Sequence, residues 1–138
     1  MRILMVLAVF TIFFGSSCKE EKETSQMKEV MAIHDEVMPK MSQLGDLVGE
    51  LNSKENDSTE IGMKYMEARK ELQSAHKSMM DWMQNFGNRF DPDEILNGKE
   101  LSAQKQEWLD EEEKKVKDLK EEINASIANA KELLGITE

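Results

Sequence analysis

The chain is poor in most of the residues that build sheets, disulfides and active sites. It holds one cysteine, two prolines, one tyrosine and two histidines in 138 residues. A single cysteine excludes an internal disulfide framework and a thiolate-rich zinc site. Scarce aromatic and β-branched residues leave little material for strands, so the fold class expected is all-α. No glycine-rich phosphate loop occurs, and two histidines with few inward serines give no plausible nucleophile triad. The Glu-x-x-His spacing of di-iron bundles is missing too, since Met31 precedes His34 by three and Gln73 precedes His76 by three. The reading is therefore non-catalytic. Excess positive charge is also lacking: 18 basic residues face 28 acidic ones, a formal charge of −10 that would be repelled by nucleic acid phosphates.

Long apolar runs are absent except for one. Arg2 is followed by Ile3 to Phe14 and then by Gly15-Ser16-Ser17-Cys18. A charged start, a short apolar stretch and small residues before a polar break describe a secretory signal over residues 1–17, too short to span a membrane as a mature helix. The Gly15-to-Cys18 stretch resembles a bacterial lipobox, which implies that Cys18 becomes the lipid-modified first residue. Acyl chains would then tie the protein to a membrane without crossing it. Cys18-Lys19-Glu20-Glu21 resembles the export signal of surface-exposed Bacteroidota lipoproteins, which implies an outer-membrane protein on the periplasmic face or the cell surface. Residues 18–24 read as a charged, disordered tether.

Residues 25–138 carry the remaining pattern, and their length suits one domain with a modest core. Val30, His34, Val37, Met41, Leu44, Val48 and Leu51 alternate spacings of four and three, a helical seam that Pro39 should kink. Gly45 and Gly49 in its second half would let a bulky neighbour approach. Residues 52–57 read as a turn, with Asp57 and Glu60 as a capping box for a second helix. That helix carries Ile61, Tyr65, Ala68, Leu72, Ala75, Met79, Trp82 and Phe86 inward and stops at Gly87. Asp91-Pro92-Asp93-Glu94 reads as the start of a short helix, with Asp91 at the N-cap and Pro92 first inside. A third long helix runs from about Leu101 to Leu134, with Glu112 on its inward seam and Gly135 closing it. Short loops between long amphipathic helices predict an elongated antiparallel three-helix bundle.

Both histidines sit inside methionine stripes. His76, Met79, Met80 and Met83 share one side of a helix, and Met31, His34, Met38 and Met41 echo the arrangement. All nine methionines after the signal lie between Met27 and Met83. A hairpin centred on Glu55 would place His34 level with His76 and Gly45 level with Tyr65. Thioethers are soft ligands that select Cu(I), and imidazole binds copper in either oxidation state. Copper is accordingly one reading, with His34, Met38, His76, Met80 and Met83 as ligands and Met31 and Met79 as further donors. Trp82 and Phe86 would shield such a site. The other reading is a Met-rich core or groove that docks an envelope protein and holds no metal, because methionine is an adaptable filler of helical cores.

Taken together, the Cys18 region, His34-Asp35-Glu36-Val37-Met38-Pro39-Lys40-Met41 and the Ala75-to-Met83 segment resemble small uncharacterised helical lipoproteins of the Bacteroidota, some labelled viral A-type inclusion protein-like. That resemblance implies a helical envelope lipoprotein and no particular activity. Its first consequence is testable on Cys18. Cys18→Ala should abolish acylation and release the protein from membranes on fractionation, and a variant that stays membrane-bound would refute the lipid anchor.

Overall fold

The computed structural model describes residues 17–136, and every regular element in them is helical. The elements are α1 (Ser17–Val37), α2 (Lys40–Lys54), α3 (Glu60–Arg89), α4 (Pro92–Leu96) and α5 (Ala103–Leu134). Of the expected signal, all but Ser17 lies outside the described residues. Residues 18–24 continue α1, where a disordered tether was expected; lysine and glutamate are good helix formers and extend the helix they precede. No helix among the described residues is long and apolar enough to cross a membrane.

Pro39 breaks the first long helix into α1 and α2. Met38 N still donates to His34 O at 2.9 Å, and Met41 N donates to Met38 O at 3.1 Å, so the ladder tightens across the break. The break lets the two halves pack on different neighbours: α1 chiefly on α5, α2 chiefly on α3. Against α5, Lys120 reaches Glu36 of α1 at 2.7 Å and Lys40, at the start of α2, reaches Asn124 at 2.6 Å. Both pairs are 84 positions apart, so chain positions rise together from α1 into α2 and along α5. Between α3 and α5 they run oppositely: Asn129 reaches Glu71 at 2.8 Å, whereas Arg89 reaches Glu111 at 2.7 Å.

The core follows the expected seams closely. Val30, Val37, Leu44, Leu51, Ala68, Leu72, Ala75 and Met79 are 0–1% exposed, as are Leu109, Val116 and Ile123 from α5. One seam residue fails, because Ile61 is 47% exposed and the buried position in that turn is Gly62. The helix start explains the shift. Thr59, not Asp57, caps α3 by accepting from Gly62 N, and Asn56 Oδ1 accepts from Ser58 N, Thr59 N and Thr59 Oγ1. At the far end α3 runs through Gly87 to Arg89, because Phe86 and Phe90 pack ring to ring across the last turn, with centroids 4.9 Å apart. Asp91 and Glu94 form the expected capping box of α4, and Lys105 Nζ binds the same Glu94 carboxylate at 2.5 Å, tying α4 to α5. Gly135 ends α5 with φ of +70°, the left-handed cap a glycine accepts without strain.

The glycines behave unlike the sequence expectation. A methyl group at Gly45 or Gly49 would meet nothing within 4 Å, so neither makes room for a neighbour. At Gly62 it would stand 2.4 Å from Asn56 Nδ2 and 2.6 Å from the Asn56 carbonyl oxygen, which belongs to the turn backbone and cannot swing aside. Urea unfolding followed by circular dichroism should therefore separate the three. Gly45→Ala and Gly49→Ala should each stabilise by about 0.5–1 kcal/mol through helix propensity, whereas Gly62→Ala should destabilise by about 1–3 kcal/mol through overpacking.

Candidate functional site

His34 stands at one end of an aromatic column. Its ring tilts against Trp82 at a centroid distance of 5.9 Å, Trp82 stacks on Phe86 at 4.9 Å, and Phe86 meets Phe90. The imidazole side chain is 15% exposed, and Nδ1 stands 3.0 Å from Asp35 Oδ1. That contact favours the tautomer with hydrogen on Nδ1, donated to the carboxylate, and leaves the Nε2 lone pair for another partner. A carboxylate behind a histidine in this way is the usual orienting arrangement of a metal-bound imidazole.

The thioethers divide into two groups. Met31 on α1 and Met38 just past its end stand one turn either side of His34, and with Met41 and Met83 they are half-buried against the core. Met79 is fully buried. Met80 is 48% exposed and His76 is exposed. His34 is level with Trp82, which follows His76 by six positions, about 9 Å along a helix axis at ~1.5 Å per residue. His34 thus meets Trp82, the neighbour of Met83 in sequence, with Met31 and Met38 one turn away along its own chain, while His76 and Met80 are exposed. Among the described residues no group of three or more His, Cys, Asp or Glu is placed to hold a metal ion, so any metal here would depend on sulfur donors.

Glu112 points inward as its seam position requires and is 0% exposed. Its partners are cations rather than the histidine layer. Oε1 accepts from Arg89 at 2.8 Å and from Lys115 at 2.9 Å, while Arg89 also lies 5.3 Å from the Trp108 ring centre. Arg89 escaped sequence reasoning, although a cation in the last turn of a helix was a signal for it. Oε2 of Glu112 and Nε1 of Trp82 are buried without a hydrogen-bond partner among the described residues.

Charge is arranged most densely between α1 and α5. Gln26 Nε2 donates to Asp110 and Glu113, Lys117 pairs with both Glu29 and Glu113, and Lys120 holds Glu36. The Lys117 hydrogen bond, then that of Gln26, keeps the Glu113 carboxyl below the usual glutamate range, and Lys120 does the same for Glu36. Comparison with protein-family models, with curated proteins and with solved structures finds no match to this chain.

A depressed carboxyl contributes stability that is complete above its unfolded value, near 4.5, and is lost as pH falls through the lower folded value. Glu113→Gln should therefore be less stable than wild type at pH 7, by at most about 1 kcal/mol for so exposed a pair. The gap should close once pH drops below the folded Glu113 value. Urea midpoints of both proteins across pH 3 to 8 (roughly the span that linkage sets) check this, and a gap independent of pH would contradict it.

Proposed function

We propose that this chain is a non-catalytic, lipid-anchored envelope protein that holds Cu(I) in the α1–α3 seam. On this reading Cys18 carries the acyl chains after removal of residues 1–17, and the helices form an up-down-up antiparallel bundle on the outer membrane. The ligands are His34 through Nε2 with thioethers from Met31, Met38 and Met83. His76 and Met80 stand apart from the site, which differs from the paired-histidine arrangement drawn from the stripes alone. The single observation that carries the reading is His34 itself: half-buried, oriented by Asp35 and flanked by methionines one turn away on both sides. Soft thioethers favour Cu(I), and the Trp82–Phe86 stack covers the layer from one side.

A Cu(I) titration of residues 19–138 against a competing chelator tests this. One copper should bind per chain, with affinity falling at least about tenfold in His34→Ala, a loss of ~1.4 kcal/mol. His76→Ala should bind like wild type. Equal losses in the two variants would restore a shared two-histidine site, and absence of binding would remove the metal.

The second reading is a docking seam for an envelope protein, favoured by the exposure of Met80 at 48% and Met63 at 51%. Large flexible apolar side chains in contact with water are used at surfaces that adapt to their partners. Under that reading Met80→Gln would weaken a cross-linked envelope complex while leaving copper unbound in every variant.

A further inference from the structure

The seam between α3 and α5 is built unlike the other two. Its ends are tied by Glu71–Asn129 and by Arg89 with Glu111 and Glu112, and among the described residues no polar contact joins the two helices between those ties. Two open surface hollows lie along this stretch, of about 380 and 460 Å³, and they share Glu122 as a wall. Small side chains make the room: Ser74 and Ser78 on α3, Ala125 and Ser126 on α5.

The walls are acidic. Asp118 and Glu122 face the first hollow with Glu112 and with Asp81, which Lys77 already holds, and Lys115, bound to Glu112, is the cation lining it. Two groups in that hollow lack partners despite burial. Glu112, 0% exposed, has a carboxylate oxygen with nothing donating to it, and Trp82, 5% exposed, has an indole N–H with nothing accepting from it. Buried polar atoms are ordinarily satisfied, and a carboxylate oxygen left bare in a low-dielectric site favours a positively charged donor most strongly.

We propose that this groove docks a basic α-helical segment of another protein. A helix fits because the groove follows two helices from Glu112 to Asn129, about 25 Å at ~1.5 Å per residue, and because small residues on the flanking positions admit a fourth backbone. Its Lys or Arg side chains lie against Asp118 and Glu122, and one enters to meet the free oxygen of Glu112. An acceptor on the same segment takes the Trp82 N–H. The site is separate from the His34 layer and stands whether or not copper binds there.

The mature protein titrated with a synthetic amphipathic Lys-bearing peptide of about 18 residues, long enough for the groove at helical rise, tests the proposal. A second peptide carries Glu in place of every Lys. Affinity is followed by calorimetry, and the indole N–H resonances of Trp82 and Trp108 by NMR, assigned with Trp108→Phe. The Lys peptide should bind and shift the Trp82 resonance, and the Glu peptide should not bind. Asp118→Lys/Glu122→Lys should weaken binding about tenfold or more. Asp46→Lys/Glu50→Lys, the same charge change on the exposed face of α2, should weaken it less than about threefold, the share expected of screened long-range attraction. Equal losses in the two double variants would mean diffuse attraction to an acidic protein and would overturn the groove. Binding that leaves the Trp82 resonance unmoved, or no binding at all, would also overturn it, leaving Glu112 and Trp82 to ordered water only.

Discussion

The contact between the His34 and Trp82 rings sets the register of the bundle. α1 and α3 are held apart by large side chains, Trp82 and Phe86 among them, so these rings decide how far one helix slides along the other. Burial of two big aromatic side chains is worth several kcal/mol relative to exposure, at roughly 1.5–3 kcal/mol for each large apolar residue. A slide by one turn would forfeit it. The break at Pro39 then becomes intelligible. With α1 fixed against Trp82 and laced to α5, the chain must turn at Pro39 for α2 to reach α3 near the Arg69–Glu55 pair, whose atoms are 2.5 Å apart.

Three seams with three chemistries follow from this arrangement. The α1–α5 seam is stitched by opposite charges and amides along its length, which makes it specific and sensitive to salt and pH. Between α1 and α3 the contact is aromatic, His34 against Trp82, with half-buried methionines elsewhere on both helices. The α3–α5 seam is tied by polar contacts at two heights and carries an open hollow on its outer surface between them. Surface ion pairs contribute little individually, so the charged seam is better understood as choosing a partner helix than as holding the fold together. Stability resides in the shared apolar core, and the two remaining seams are free to carry other work.

Helix existence and inward faces were legible because the apolar residues step by four and three with almost no interruption. Ala68, Leu72, Ala75, Met79, Trp82 and Phe86 all prove buried, and Asp91-Pro92-Asp93-Glu94 encodes its own cap. The geometry of the histidines was not legible, for a reason that can be traced to the turn between α2 and α3. Asn56 gathers three hydrogen bonds and delays the start of α3 to Glu60, so the hairpin centre falls near residue 58 instead of Glu55. An error in the centre is doubled across a hairpin. Three positions become six, which carries His34 from His76 to Trp82. The stripes could not say which half of the α3 stripe would lie level with His34. Glycines were opaque for a similar reason, since Gly62 is crowded by a turn whose conformation no periodicity describes.

Glu112 raises the question of why a carboxylate occupies a seam position that Leu109 and Val116 fill on either side. Replacing a buried ion pair with apolar residues of similar volume is commonly neutral or stabilising, so stability alone does not account for it. Register is one account: Glu71 with Asn129 and Arg89 with Glu112 pin α3 to α5 at two heights, and a slipped alignment would leave the Glu112 charge buried and unpaired. That account explains Oε1, which receives both Arg89 and Lys115, and is silent about Oε2. A residue needed only for register would be served by one satisfied contact and a neutral side chain such as glutamine. A full charge with one oxygen left over, beside an indole N–H in the same condition, is what a seam would keep if it were completed from outside.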